Sequence, residues 1–465
     1  MDRLDRVLLE EDGGALVPES EVAAGTSLSA SSEPHLPPDG RGWRYSKVVG
    51  RLTGVNVVAL AAAVVTGPIT ARVLGVDGRG DLAAIIAVLT VGPWLLDVGQ
   101  TLWLGRERAR GVGREELLGA ALPVAFACSL IAVAVAIPLS HALGRGRPVV
   151  TTFLEIGLFL MPVSVVLQTL AGLATGESRW GLVAANSIVS SVLPMLAIVV
   201  LAVLGSLTVA TAAAAYLIGS LIGSLLLLRV LRGMRRLIFD RRRAAKASRF
   251  GVQAWLSTIA ATANVRLDQV LMAGLVSSHE LGLYAVAVTV ASVMSGLIGA
   301  VSNAQYPRIA EGDASIVARS SRITTGVVAL VALVFAVASP WLMPFVFGNG
   351  FRDAVPMAII LLAASVPMAG AFLLSSALNA ANNPGATMRA ELAALAFTIP
   401  TLIVLLHRYG GLLAAVVSLI AYTIRLGMQL RPARQEFSTT YRELLLPTRS
   451  DLIWLKGRVR RIAVG

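Results

Sequence analysis

Seven polar or charged side chains within otherwise apolar stretches of this sequence are of types that could do chemistry. Arg266 and Asp268 lie two residues apart in NVRLDQVLM, and Asp97 and Gln100 lie three apart in WLLDVGQTLW. Gln168 and Asn186 stand alone in apolar runs, and Arg72 follows VTGPITA. A charge at the centre of a bilayer costs at least about 2.5–3.5 kcal/mol on insertion scales, so each one demands a reason. A guanidinium is a planar fork of donors that matches phosphate or carboxylate. Residues two apart on a helix point about 200° from each other, so Arg266 and Asp268 are not a same-helix pair. One can face a cavity while the other contacts a neighbouring helix. Asp97 and Gln100 share a face and can line a mouth or take part in cation coupling, whereas the amides of Gln168 and Asn186 suit helix–helix hydrogen bonds. The four histidines are scattered and Cys128 is the single cysteine, which offers neither a metal site nor a nucleophile–base pair.

The elements that position these groups follow from composition. Of 465 residues, 56% are hydrophobic and 14% charged, against about 45–50% and 25% in soluble domains. About twelve helix-length apolar segments follow one another, near 52–71, 82–104, 117–139, 149–173, 181–204 and 208–228, then 251–276, 281–303, 324–347, 354–380, 386–406 and 410–430. Long apolar runs without alternation must be helices in lipid, where every backbone group needs an internal partner. This predicts an all-α polytopic membrane protein. Arg266 then lies roughly 15 residues, about 22 Å, into the seventh segment.

Lys and Arg set the orientation, because they are hard to translocate in short loops. Arg106, Arg108, Arg110 and Arg114, the stretch Arg229–Arg249 and the C-terminal residues from Arg431 all fall on one side, which places both termini in the cytoplasm. Arg72, Arg79, Arg145, Arg147, Arg352 and Arg408 fall on the other. The net charge of +13 therefore reads as topology plus attraction to anionic lipids, not as nucleic-acid binding. Residues 1–45 are rich in Glu, Ser, Pro and Gly and are expected to be a disordered cytoplasmic tail. Residues 50–230 form an N-lobe, 231–250 a basic cytoplasmic linker, 251–430 a C-lobe, and 431–465 a basic tail. Within that tail, Asp451–Val464 is amphipathic and suits the membrane surface. Arg389 and Glu391 are expected to anchor and pack, and Arg425 to snorkel to the interface.

The two lobes look alike. IVSSVLPMLAIVVL from Ile188 aligns with ALAFTIPTLIVLLH from Ala394, setting Pro194 against Pro400, and the same offset lays Gly176-Glu177 over Asn382-Asn383. GRGDLAAIIAV from Gly78 lies over ELGLYAVAVTV from Glu280, with Gly80 opposite Gly282. Six spans separate the copies, so the repeats are parallel, and sites in such proteins tend to lie between halves near the midplane.

Five segments in register then resemble a known family. They are ARVLGVDGRGDLAA (Ala71–Ala84), NVRLDQVLMAGLVSSHELGLYAVAVTVAS (Asn264–Ser292), Tyr306-Pro307-Arg308, Pro344-Phe345-Val346-Phe347-Gly348 with Phe351, and Tyr409-Gly410-Gly411-Leu412-Leu413-Ala414-Ala415. Together they are similar to the Wzx-like polysaccharide flippases of the multidrug/oligosaccharidyl-lipid/polysaccharide (MOP) exporter superfamily. The resemblance implies two six-helix bundles in a V around a central cavity, and transport of undecaprenyl-diphosphate-linked glycan to the outer leaflet of the plasma (inner) membrane. It implies no enzyme activity and no cofactor, with coupling to Na+ or H+ left open. Arg266 and Arg72 are the expected diphosphate ligands, and Asp268, Asp97, Gln100, Asn186 and Gln168 the polar cavity groups. Partners would be the lipid-linked glycan, anionic lipids and a glycan polymerase or other envelope proteins, without nucleic acid. The alternatives are a cation-coupled drug or metabolite exporter of the same superfamily and a degenerate flippase acting as a membrane scaffold.

Overall fold

The computed structural model describes residues 41–144, 146–234, 236–310 and 315–445. Residues 1–40 of the expected tail and the expected surface helix Asp451–Val464 lie outside the described residues. Helices follow in the order α1 (Arg41–Leu96), α2 (Gln100–Ala109), α3 (Arg114–Gly144), α4 (Pro148–Gly176), α5 (Trp180–Val203), α6 (Val209–Leu225), α7 (Arg241–Leu275), α8 (Ser278–Ala310), α9 (Ser315–Phe347), α10 (Val355–Ala380), α11 (Pro384–Glu436) and the short α12 (Tyr441–Leu445). No strand occurs among the described residues.

Two helices are too long for one crossing. The 53 residues of α11 would span about 80 Å at 1.5 Å each, against a hydrocarbon core of about 30 Å. Each is interrupted at a glycine in the left-handed region, Gly75 in α1 (φ 70°) and Gly410 in α11 (φ 60°), where a side chain would be strained. The chain doubles back there, since Arg425 Nη2 lies 2.5 Å from Glu391 Oε1 although both belong to α11. The two halves of α1, the helices α3 to α10 and the two halves of α11 give twelve helical segments, as expected, and among the described residues α1, α4 to α6 and α8 to α11 are long and apolar enough to cross a membrane. Residues 241–250, expected in the linker, form the first turns of α7 instead, and Ala244 and Ala247 pack with Leu117 and Leu118 of α3.

The repeat is visible in the turns. Arg179 N donates to Ala174 O at 2.8 Å, and Asn383 N to Leu378 O at 2.8 Å. Ser178 and Asn382 are both left-handed, at φ 57° and 59°. The matching offset at this turn is 204 residues (178 to 382, 179 to 383), whereas Pro194 and Pro400 are 206 apart. Glu177 therefore corresponds to Ala381 rather than to Asn383. The proline register is corrected by two residues, because a helix tolerates a shifted proline more easily than a turn tolerates a shifted left-handed residue.

At the end of the bundle marked by Gly75 and Gly410, the lobes meet backbone to backbone. A Cβ on Gly80 would fall 1.8 Å from Ser278 O and 2.9 Å from Gly282 N, and one on Gly282 would fall 2.0 Å from Val76 O. The two glycines matched by the repeat thus pack on one another, and only hydrogen fits between the chains. Arg147 braces the same contact. Its guanidinium donates to Ala273 O (2.7 Å) and Ser278 Oγ (3.0 Å) of the C-terminal half and to Asp81 Oδ1 (3.1 Å), Leu143 O and Gly144 O of its own half. Ser278 Oγ also donates to Asp81 Oδ1 at 2.6 Å.

Candidate functional site

Three neighbouring cavities share lining residues. The first, about 360 Å³, lies within the N-terminal half and is walled by both halves of α1 together with α4, α5 and α6. Its polar lining is Thr66, Thr90, Ser164, Gln168, Ser190, Ser191, Tyr216, Ser220 and Ser224, and no charged residue takes part. The second, about 240 Å³, shares Thr66 and Tyr216 with the first and lies between the halves. Arg79 and Arg266 both line it, with Gln269, Thr289 and Ser292. The third, about 100 Å³, belongs to the C-terminal half and is lined by Arg266, Asp268, Tyr284, Ser365, Ser418 and Tyr422.

The two arginines are the chemical centre of this path. Arg79 Nη2 reaches only Thr289 Oγ1, at 3.4 Å, and its buried Nε has no partner among the described residues. Arg266 is exposed to the cavities. Among the described residues neither guanidinium forms an ion pair. Asp268, two residues on, shares the third cavity with Arg266 and attracts it through space without an ion pair, while its own hydrogen bonds come from the Tyr284 hydroxyl and, at 2.7 Å, from Gln269 N. Two cations therefore converge on one intramembrane space while their donors stay open to a further acceptor. Such an arrangement favours an anion, and guanidinium geometry favours a phosphate.

The other expected site residues divide. Gln168 lines the first cavity. Arg72 does not join Arg266: its Nε donates to Val346 O at 2.9 Å and its Nη2 to Phe345 O, so it caps the last carbonyls of α9. Asp97 lines none of the three cavities. It sits at the break between α1 and α2, 7% exposed, accepting from Thr101 N (3.1 Å), Thr101 Oγ1 (2.7 Å) and Thr169 Oγ1 (3.3 Å). From two residues before the Gly99 N-cap, its carboxylate satisfies one of the free N–H groups in the first turn of α2. Gln100 is fully buried, with Nε2 3.4 Å from Val98 O. Asn186 belongs to the α5–α6 contact, where its carbonyl would lie 2.9 Å from a Cβ on Gly223, and it does not line the cavity.

Arg425 does not snorkel. It is 3% exposed and paired with Glu391, which is 1% exposed and accepts from Asn264 Nδ2 at 2.6 Å. Arg425 Nη2 and Gln429 Nε2 also meet Ser375 Oγ at 3.3 and 2.8 Å, so one polar network ties α7, α10 and both halves of α11.

Residues 47–313 match the sequence profile of the polysaccharide biosynthesis protein family. That is more than half of the chain. The chain belongs to that family, within the MOP superfamily. No curated protein matches the sequence. The fold is similar to the lipid II flippase MurJ in an inward closed conformation, with a TM-score of 0.69 at 12% identity over 85% of this chain and 89% of that one. It is similar also to an inward-facing multidrug resistance MATE transporter (0.64, 12%, 82% and 98%) and to the MATE transporter DinF-BH in complex with R6G (0.61, 15%, 88% and 99%). These similarities establish the architecture: two lobes of membrane-crossing helices around a central cavity. This family member is a multi-pass membrane protein, a flippase or transporter.

Sequence reasoning missed Arg79, assigning it to a loop on the outer side. The signal available was its place in the GRGD stretch directly after the Gly75 turn, which begins the second span earlier than hydropathy indicates. The hydroxyl lining was also missed, because single serines in apolar helices read as packing residues. Ser220 and Ser224 are four apart and share one face of α6.

Proposed function

We propose that this protein moves a polyprenyl-diphosphate-linked oligosaccharide from the cytoplasmic to the outer leaflet of the plasma membrane by alternating access. The observation that carries the reading is the pair Arg79 and Arg266, without ion pairs among the described residues, lining one cavity that shares Thr66 and Tyr216 with an uncharged, hydroxyl-rich one. The arginines suit the diphosphate, and the Ser, Thr, Tyr and Gln lining suits sugar hydroxyls. In this reading the termini are cytoplasmic and the Gly75 end faces outward. Coupling to Na+ or H+ is assigned to Asp268, the carboxylate that shares the third cavity with Arg266.

The experiment is replacement of Arg79 and Arg266 by Ala, singly and together, in cells that make the surface polymer. Loss of one charge-assisted hydrogen bond costs about 1.5–3 kcal/mol, so each single variant should slow export about 10- to 100-fold with lipid-linked intermediate accumulating. Protein level in the membrane should not change. Normal export in the double variant refutes the reading. The second reading, a cation-coupled exporter of drugs or metabolites, is supported by the shared cavity architecture and by Asp268. It predicts drug efflux that survives loss of both arginines and fails in Asp268→Asn.

A further inference from the structure

A second cationic recess lies away from the central path, at the opposite end of the bundle from Gly75. It is about 310 Å³ and is built from the α2–α3 and α4–α5 turns. Three arginines converge there on one carboxylate. Arg114 Nε and Nη2 both bind Glu177, the latter at 2.8 Å, while Arg108 Nε and Arg179 Nε approach it at 3.0 Å. The Glu177 side chain is 5% exposed, and those of Arg108, Arg114 and Arg179 are 25%, 28% and 39% exposed. One carboxylate cannot balance three guanidiniums, so two formal positive charges remain. Each guanidinium has five N–H donors, and of these fifteen the contacts to Glu177 and that of Arg108 Nη1 to Val112 O (2.9 Å) occupy five. Ala109, Gly111 and Gly176 complete the wall, so that part of the space is bounded by backbone and one methyl group. At about 310 Å³ the recess reaches the lower range of small-molecule sites, about 300–1,000 Å³.

We infer that this recess is a binding site for a phosphate-bearing anion, with Glu177 as the internal counter-ion that preorganises the three arginines. A carboxylate holding three forks in register leaves their outer nitrogens fixed for a ligand with several oxygens, which lowers the ordering cost of binding. Phosphate suits it better than a carboxylate ligand, because more oxygens can meet more donors at once. The recess lies on the side of the basic loops. From Gln168 in the first cavity to Gly176 is eight residues of α4, about 12 Å. Two sources carry this chemistry: the headgroup of an anionic phospholipid, and a soluble or lipid-linked diphosphate.

The test uses the full chain carrying Arg79→Ala and Arg266→Ala, which removes the central arginines and keeps the outcome independent of the flipping reading. The protein is reconstituted in nanodiscs of phosphatidylcholine and titrated with inorganic pyrophosphate, and separately with phosphatidylglycerol followed by native mass spectrometry. Saturable binding in the first arm identifies a diphosphate site, and selective retention of phosphatidylglycerol in the second identifies a headgroup site. In either case Arg179→Gln should weaken binding about tenfold while leaving Arg108 and Arg114 on Glu177, and Arg179→Lys should retain part of it. Glu177→Gln keeps an acceptor oxygen to hold the forks but removes the competing negative charge, so it should strengthen binding several-fold, although it lowers thermal stability; Glu177→Ala, which removes the acceptor too, should forfeit part of that gain. A purely structural cluster would move stability alone. Absence of binding in both arms, or binding unmoved by Arg179→Gln and Glu177→Gln, overturns the inference.

Discussion

Replacing Arg147 with Ala should release the contact that holds the lobes together at the Gly75 end. Its two bonds across the lobes, to Ala273 O at 2.7 Å and Ser278 Oγ at 3.0 Å, are charge-assisted. Each such bond contributes about 1.5–3 kcal/mol. The side chain is 15% exposed, and Ser278 keeps its 2.6 Å bond to Asp81 when Arg147 is gone. Solvent screening and that surviving bond reduce the loss to about 2–3 kcal/mol, which shifts the closed-to-open ratio about 30- to 150-fold. Asp77 and His279 are exposed at the same end, with Oδ1 and Nδ1 3.4 Å apart, and mark the two lobes. Cysteines placed at both positions in a Cys128→Ser background can carry spin labels for pulsed dipolar distance measurement. A short distance should dominate with Arg147 present, and a longer population should appear without it. Identical distributions in the two proteins, both folded by circular dichroism, would refute the reasoning.

Two further outcomes follow from the carboxylates Glu391 and Glu443. Arg425→Ala leaves the Glu391 carboxylate buried without its cation and should lower stability by about 3–5 kcal/mol, whereas the double replacement of Arg425 and Glu391 by Met should recover most of it; thermal unfolding in detergent distinguishes the two. At the start of α12, Thr440 N and Oγ1 donate to Glu443 Oε2 at 2.7 and 2.9 Å, which holds that exposed carboxyl below the usual glutamate value. A depressed value means that the contribution to α12 is present above the ordinary glutamate pKa and fades as pH falls through the lowered one, so amide protection over Tyr441–Leu445, taken relative to the intrinsic exchange rate at each pH, should fall on acidification, and Glu443→Gln should be weakly protected throughout.

The sequence alone determined the class, the twelve helical segments and the doubling of the fold, and it singled out Arg266. Each of these is a property of single segments set against lipid: a run of apolar residues of sufficient length is a helix because no other backbone arrangement survives there. The Gly80 and Gly282 register was legible as well, and the structure gave it a meaning that sequence could not, since the paired glycines are the point at which the lobes touch. What the tertiary structure decided was the partner of each charge. Arg72 and Arg79, seven residues apart, separate into a helix cap and a cavity-lining residue because the chain reverses at Gly75 between them. Asp97 is drawn to Thr101 and Thr169 and away from any cavity. Glu391 and Arg425 look like two unrelated interfacial charges until α11 folds back at Gly410 and sets them 2.5 Å apart. Hydropathy reports how a segment meets its solvent. A buried charge is governed by the one or two groups within a few ångströms of it, and in this chain those groups come from distant turns.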